Sequence, residues 1–241
     1  MKTKHLNTIL LLAACISIAL LPSCRFRCVK GSGHQTSETR KTEDFTKIEI
    51  DGGFKVNIKQ DSSLSFTINA DDNLMQYIKS SVSGGKLHIY SKKKMCPSGE
   101  MVINIGVKNL DAIKISGAVD LTTDGKLTTK DIRLDINGAG KVTMDLNADN
   151  VLTEGAGNVE MNMKGQATSH KVEIAGAAKV NALDFVVGSY DIETTGASDC
   201  QINVLKDLTV NTTGAADIKY RGNPTSVNTS KTGAATVTKI N

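Results

Sequence analysis

Carboxylates at repeated spacings are the first candidates for chemistry in this chain. Glu173 and Glu193 each precede a Gly-Ala pair by three residues, and Asp199 and Asp217 each follow one by three. Two carboxylates about 5 Å apart raise one member's pKa, can hold a cation, or can divide acid and base roles across a sugar. The neighbouring residues argue against such a site. Lys179 occupies the position equivalent to Asp199 one repeat earlier, no GGxGxD calcium loop occurs, and Arg133 and Arg221 are the only arginines beyond residue 44. A solvated ladder of charges is the expectation. His88 and His170 have no carboxylate at relay spacing, and no GxSxG, HExxH or phosphate-loop motif is present. Lys92-Lys93-Lys94 reads as a solvated loop. The chain is therefore expected to be no enzyme, with no metal and no cofactor.

The N-terminus carries export chemistry instead. Lys2 and Lys4 precede an apolar run from Ile9 to Leu21, too short to span a membrane and suited to a signal peptide. The run ends in Leu21-Pro22-Ser23-Cys24, which resembles the bacterial lipobox, whose cysteine is lipidated and becomes the new N-terminus. Pro22 departs from the usual residue there. Leu12-Ala13-Ala14-Cys15 is the alternative, but cleavage at Cys15 would leave Ile16 to Leu21 exposed on the mature chain, so Cys24 is preferred. The division expected is a lipoprotein signal peptide over 1–23, a polar tether over 24–44 without apolar period, and one folded domain over 45–241. Residues 1–44 carry seven basic and three acidic side chains against a whole-chain charge of +4, so the domain is about neutral. A neutral domain excludes nucleic acid as a partner. Export permits a Cys28–Cys96 disulfide, although the position of Cys28 in the tether weighs against it.

The elements that position these residues come from a repeat. A Gly-Ala pair occurs at Gly117, Gly138, Gly155, Gly176, Gly196, Gly214 and Gly233, at spacings of 21, 17, 21, 20, 18 and 19. Aligned on the glycine, the fourth following residue is apolar (Leu121, Val142, Val159, Val180, Cys200, Ile218, Val237) and its neighbours are polar. This is period-two alternation around a tight corner. A unit of about nineteen residues cannot bury its own apolar face, but stacked coils can. The expected fold is therefore an all-β right-handed parallel β-helix, a solenoid with Gly-Ala corners. Glycine would supply an unusual φ and alanine would fill a narrow interior. Asp71–Ile78 is the one helical candidate, with Leu74, Tyr77 and Ile78 on one face. Cys200 falls in the inward column as a core thiol.

From Phe45 onward the pattern resembles a known bacterial envelope family, the auto-transporter adhesins with a head GIN domain. The likeness rests on Phe45, Ile48, Gly53-Phe54 and Val56, on Asn73-Leu74 and Ile78, on Gly85-Lys86-Leu87-His88-Ile89, and on the glycine corners. It implies a β-helix and an adhesion or envelope role, and no catalytic residues map onto this chain.

The chain is expected to be an outer-membrane lipoprotein of the cell envelope, with the membrane as partner through its lipid anchor and a glycan or protein ligand for its polar face. Oligomerisation is compatible with the pattern. Arg25, Phe26 and Arg27 follow Cys24 where surface-exported lipoproteins of some lineages carry acidic residues, which favours the periplasmic side. A periplasmic scaffold or envelope-stress protein and a carbohydrate-active enzyme are the rivals. Cys24→Ala should abolish lipid attachment and move the protein into a soluble fraction. Mass spectrometry placing the lipid on Cys15, or finding none, would refute the assignment.

Overall fold

The computed structural model describes residues 28–241. The expected signal peptide, Cys15 and Cys24 lie outside them. The described chain is all-β apart from one helical turn. Its strands are β1 (Val29–Lys30), β2 (Gln35–Thr39), β3 (Lys47–Gln60), β4 (Phe66–Asp71), β5 (Ile78–Ser83), β6 (Lys86–Ser91), β7 (Met95–Cys96), β8 (Val102–Val107), β9 (Ala112–Thr128), β10 (Asp131–Arg221) and β11 (Ser226–Lys239), with α1 (Asp72–Met75) after β4.

Parallel, in-register stacking organises the regular part. β9 pairs with β10 from Ala112 against Arg133, and β10 with β11 from Asp207 against Ser226. β3 pairs in parallel with β9, and also with β6 and β8. Within β10, side-chain ladders join residues nineteen apart: Asn150 donates to Asp131 at 2.6 Å, Ser169 to Asn150 at 2.8 Å and Asn181 to Asn162 at 2.8 Å. A single hydrophobic core runs from Phe45 to Ile218. Burying each Ile, Leu, Val or Phe side chain there contributes about 1.5–3 kcal/mol.

The corner glycines explain the register. Gly52, Gly117, Gly138, Gly157, Gly176, Gly196, Gly214 and Gly233 all have φ between +106° and +142°. At Gly138 a Cβ would stand 2.6 Å from the Gly117 carbonyl oxygen, and at Gly157, Gly176, Gly196, Gly214 and Gly233 it would overlap the carbonyl of the glycine one repeat earlier. Gly155 does not belong to this column. Gly157 holds the corner, which changes the neighbouring spacings of 17 and 21 into 19 and 19, and Met161 replaces Val159 in the apolar column four residues on. Gly155 sits two residues before the corner, level with Ile136 and Ile174, where a Cβ would meet Val159 Cγ2 at 2.9 Å and Ile174 Cγ1 at 3.3 Å. The corner alanines do not fill the interior either. Ala118, Ala139, Ala177, Ala197 and Ala215, with Asn158 at the same place after Gly157, are exposed, and the next residue turns inward: Val119, Gly140, Ala178, Ser198, Ala216 and, after Asn158, Val159.

The stretch expected to be a tether is attached to the head over its described part. Cys28 is disulfide-bonded to Cys96 with Cα atoms 5.6 Å apart, β1 pairs with β7, and β2 pairs antiparallel with β4. Asp71 completes the attachment. Its fully buried carboxylate accepts from Gly33 N at 2.9 Å, Ser98 N at 3.0 Å and Ser98 Oγ, and the Ser98 donors, then the Gly33 amide, lower its pKa. This segment docks through main-chain bonds at a sheet edge and leaves the side chains of β2 exposed, so it has no hydropathy signal. The expected helix shrinks to α1, because Ile78 already opens β5.

The core also holds polar side chains, among them Thr153, His170, Thr194 and Thr212. His170 Nε2 lies 3.0 Å from Thr153 Oγ1, with the rings of Tyr190 and Phe185 packed beside it. Burial depresses the His170 pKa from 6.5 to about 3, pushes the Tyr190 phenol up, and pushes the Cys200 thiol up to about 12.

Two predictions follow from this packing. Gly157→Ala should lower stability by at least about 1–3 kcal/mol, because φ and a backbone carbonyl both oppose a Cβ. Gly155→Ala meets side-chain carbons of Val159 and Ile174, with the Ile136 carbonyl oxygen at an ordinary 3.6 Å, and should cost less, so urea melts giving the reverse order would refute the corner at Gly157. His170 provides the second test. Its folded pKa lies below its unfolded value, so the folded state binds fewer protons. The stability it contributes is complete above about pH 6.5 and declines as pH falls toward 3. Between pH 7.5 and pH 5 the loss should be about 2 kcal/mol. That slope should vanish in His170→Gln, whatever the variant's absolute stability, and an unchanged slope would exclude His170 as its source.

Candidate functional site

The corners build two open faces, one on each side of the glycine column. Period-two alternation sends the residues one and three after each glycine outward, and parallel register stacks them into columns. The first residue is an exposed alanine in six passes, Gly53 after Gly52 and Asn158 after Gly157. The third is Lys55, Asp120, Lys141, Glu160, Lys179, Asp199, Asp217 and Thr236 in successive passes. With Gly157 in phase, charge alternates along this column from Lys55 to Asp199. Lys141 Nζ lies 3.3 Å from Glu160, whose pKa is lowered first by its hydrogen bond from Asn162 and then by that from Lys141, with a smaller contribution from the charge of Lys179.

Asp199 and Asp217 are the one like-charged step in that column. Asp217 takes hydrogen bonds from Lys219 Nζ and Thr236 Oγ1, both at 2.7 Å, and the Lys219 contact is the main cause of its lowered pKa. Asp217 is thus held by Lys219 and Thr236, and Lys179 is not among its partners. Asp199 keeps one carboxylate oxygen buried with no donor among the described residues. Between this column and the alanines runs an open groove of about 650 Å³, floored by Ala177, Ala197, Ala215 and Ala234 and rimmed by Lys179, Asp199 and Asp217. It is a strip of stacked methyl groups with fixed charges along one edge.

The other face, three residues before each corner, is acidic. Asp135, Glu154, Glu173 and Glu193 line a second open groove of about 540 Å³. Arg133 Nε reaches Asp135 at 3.0 Å, and its terminal nitrogen bonds Glu154; Lys171 pairs with Glu173 at 2.5 Å. At the head of the same column, Lys114 at 2.8 Å and Lys86 hold the Glu49 pKa down at about 2. Among the described residues no group of three or more His, Cys, Asp or Glu side chains could hold a metal ion. Asp135 and Glu173 are thus paired with a cation two residues away on the same strand, and Glu154 and Glu49 with cations on neighbouring passes.

One arrangement was not legible in the sequence. His88 Nε2 lies 2.6 Å from Asp51 Oδ2 and the ring stacks on Tyr90 at 4.7 Å. The pair depends on parallel pairing of β3 with β6 across 37 residues, which no local spacing reveals. Among the described residues no hydroxyl or thiol is bonded to the free side of this imidazole, so the pair lacks a nucleophile.

Known proteins with this arrangement share the whole fold. A putative adhesin from Bacteroides fragilis superposes with a TM-score of 0.81 at 23% identity, covering 88% of this chain and 100% of that one. A putative lipid binding protein from Parabacteroides distasonis superposes at 0.75 and 18% identity, covering 89% and 100%. A putative adhesin from Parabacteroides merdae gives 0.68 and 21% identity over 88% and 99%. No curated protein matches the chain. Residues 44–224 match the family described as "Putative auto-transporter adhesin, head GIN domain", and the chain belongs to that family.

Proposed function

We propose that the chain is a non-enzymatic envelope protein, lipid-anchored at Cys24 in the outer membrane and facing the periplasm. Its head is a right-handed parallel β-helix of about nineteen-residue coils, and it binds a protein ligand along the alanine-floored groove. The observation that carries this reading is that groove itself. Small side chains at Ala177, Ala197, Ala215 and Ala234 let an extended peptide approach the strand backbone closely, while Lys179, Asp199 and Asp217 supply fixed charges for register. The groove has no aromatic side chain on which a sugar ring could stack, which favours a protein segment over a glycan. Membership of an adhesin family supports a binding role, and the pairing of carboxylates with Lys and Arg supports the absence of catalysis.

Binding of the full chain to an array of immobilised envelope and matrix proteins, beside a glycan array, tests the reading. Ala197→Arg and Ala215→Arg place bulky charge on an exposed floor and should reduce the protein signal about tenfold, with Tm unchanged within a few degrees. Unchanged binding in both variants, a glycan signal alone, or turnover of acidic polysaccharides would overturn it.

A further inference from the structure

The lysine run expected to be a solvated loop is placed with care. Lys92, Lys93 and Lys94 are all exposed and lead directly into β7. They are held from three sides. Val29 N donates to the Lys94 carbonyl at 2.9 Å, and Gly31 N to the Cys96 carbonyl at 2.9 Å. Lys92 N donates to the Tyr77 carbonyl at 2.9 Å, and Lys93 Nζ sits 4.7 Å from the centre of the Tyr77 ring. Lys30, also exposed, lies in β1 opposite Cys96. Among the described residues no carboxylate is ion-paired with Lys30, Lys92 or Lys93. The nearby carboxylates are engaged elsewhere, Asp71 with Ser98 and Gly33, and Asp72 with Ser32 and Asn73.

The disulfide gives this patch its meaning. Arg25, Phe26 and Arg27 alone separate Cys24 from Cys28, and Cys28 is tied to Cys96. Four residue steps span at most about 14 Å. A lipid on Cys24 therefore cannot leave the head on a long tether, because it draws this end to within about one or two Debye lengths of the headgroups. We propose that the disulfide-clamped N-terminal end is a membrane-apposed foot, in which Lys30, Lys92 and Lys93 engage anionic phospholipid headgroups. This rests on the lipid-anchored reading above and deepens it. The head then stands with its N-terminal cap on the bilayer and its last strand farthest away.

The test uses the full chain, produced with its lipid and reconstituted in vesicles of phosphatidylcholine with or without phosphatidylglycerol. Limited amine acetylation, read by peptide mass spectrometry, should modify Lys30, Lys92 and Lys93 at least about threefold more slowly on the anionic vesicles, and Lys206 and Lys231 equally on both. The protection should vanish in 1 M salt, where the Debye length is about 3 Å. Equal rates on the two vesicle types overturn the proposal. A second arm separates the patch from the anchor. Unlipidated Cys24→Ser chain should float with phosphatidylglycerol vesicles and not with pure phosphatidylcholine. Lys92→Glu with Lys93→Glu should weaken that binding by about fivefold per lysine, and the charge-matched pair Lys206→Glu with Lys231→Glu should not. Equal loss in both pairs overturns the patch. A lipid-free Cys24 in the first preparation overturns the anchor, while the second arm still decides the patch.

Discussion

The structure depends on one contact: backbone laid on backbone at the corner glycines, with no room for a Cβ between passes. Gly138 under Gly157, and Gly157 under Gly176, bring main chain to main chain at a positive φ that other residues adopt only with strain. The outward alanine, the small inward residue and the charged third residue then recur at fixed places relative to that contact. In-register parallel stacking also sets equivalent side chains about 4.8 Å apart. A charge repeated at one position would repel its neighbours along the whole molecule. The alternation from Lys55 through Asp120, Lys141, Glu160 and Lys179 to Asp199 converts that repulsion into attraction, and where it lapses, at Asp217, Lys219 and Thr236 supply the compensation.

The interior meets the same constraint. Inward positions two residues before the corner read Ile50, Ile115, Ile136, Gly155, Ile174, Thr194 and Thr212. The later members are threonines, and Thr194 satisfies its hydroxyl 3.1 Å away on Ser198, the small inward residue across the same corner. Thr153 and His170 form a comparable pair. These groups are buried in an otherwise apolar stack, so each must find its partner inside the core. The need is not always met: the Thr212 and Tyr190 hydroxyls and His170 Nδ1 have no donor or acceptor among the described residues.

How much of this could be read from residues alone follows from where the information lies. Alternation and glycine spacing are local, so the all-β character and the repeat were legible. The phase at Gly155-Ala156-Gly157 was not, because either glycine satisfies the pattern and only the approach to the Gly138 carbonyl separates them. The direction of the alanines was lost for a related reason. A tight corner invites the thought that small residues point inward, but at φ near +120° the Cα of glycine takes the turn and the alanine after it faces solvent. The docking of residues 28–39 and the His88–Asp51 pair both rest on pairing between distant strands, to which periodicity is blind.

The two ends of the stack are finished differently, and the difference bears on function. At the N-terminal end β8, β4 and β2 pair antiparallel, and the Cys28–Cys96 bond and Asp71 lock the covering segment in place. At the C-terminal end β11 repeats the corner at Gly233 but departs from the core pattern. Thr229 stands beside Val210 and Lys231 beside Thr212, at positions that point inward in earlier passes. A lysine at an inward position on an edge strand blocks the addition of another strand. The side chains of β11 are accordingly mostly exposed. Between these two ends, the long faces beside the glycine column carry the open grooves. There exposed alanines in six passes stand beside a column of alternating charge, and in-register stacking carries that pattern along the molecule.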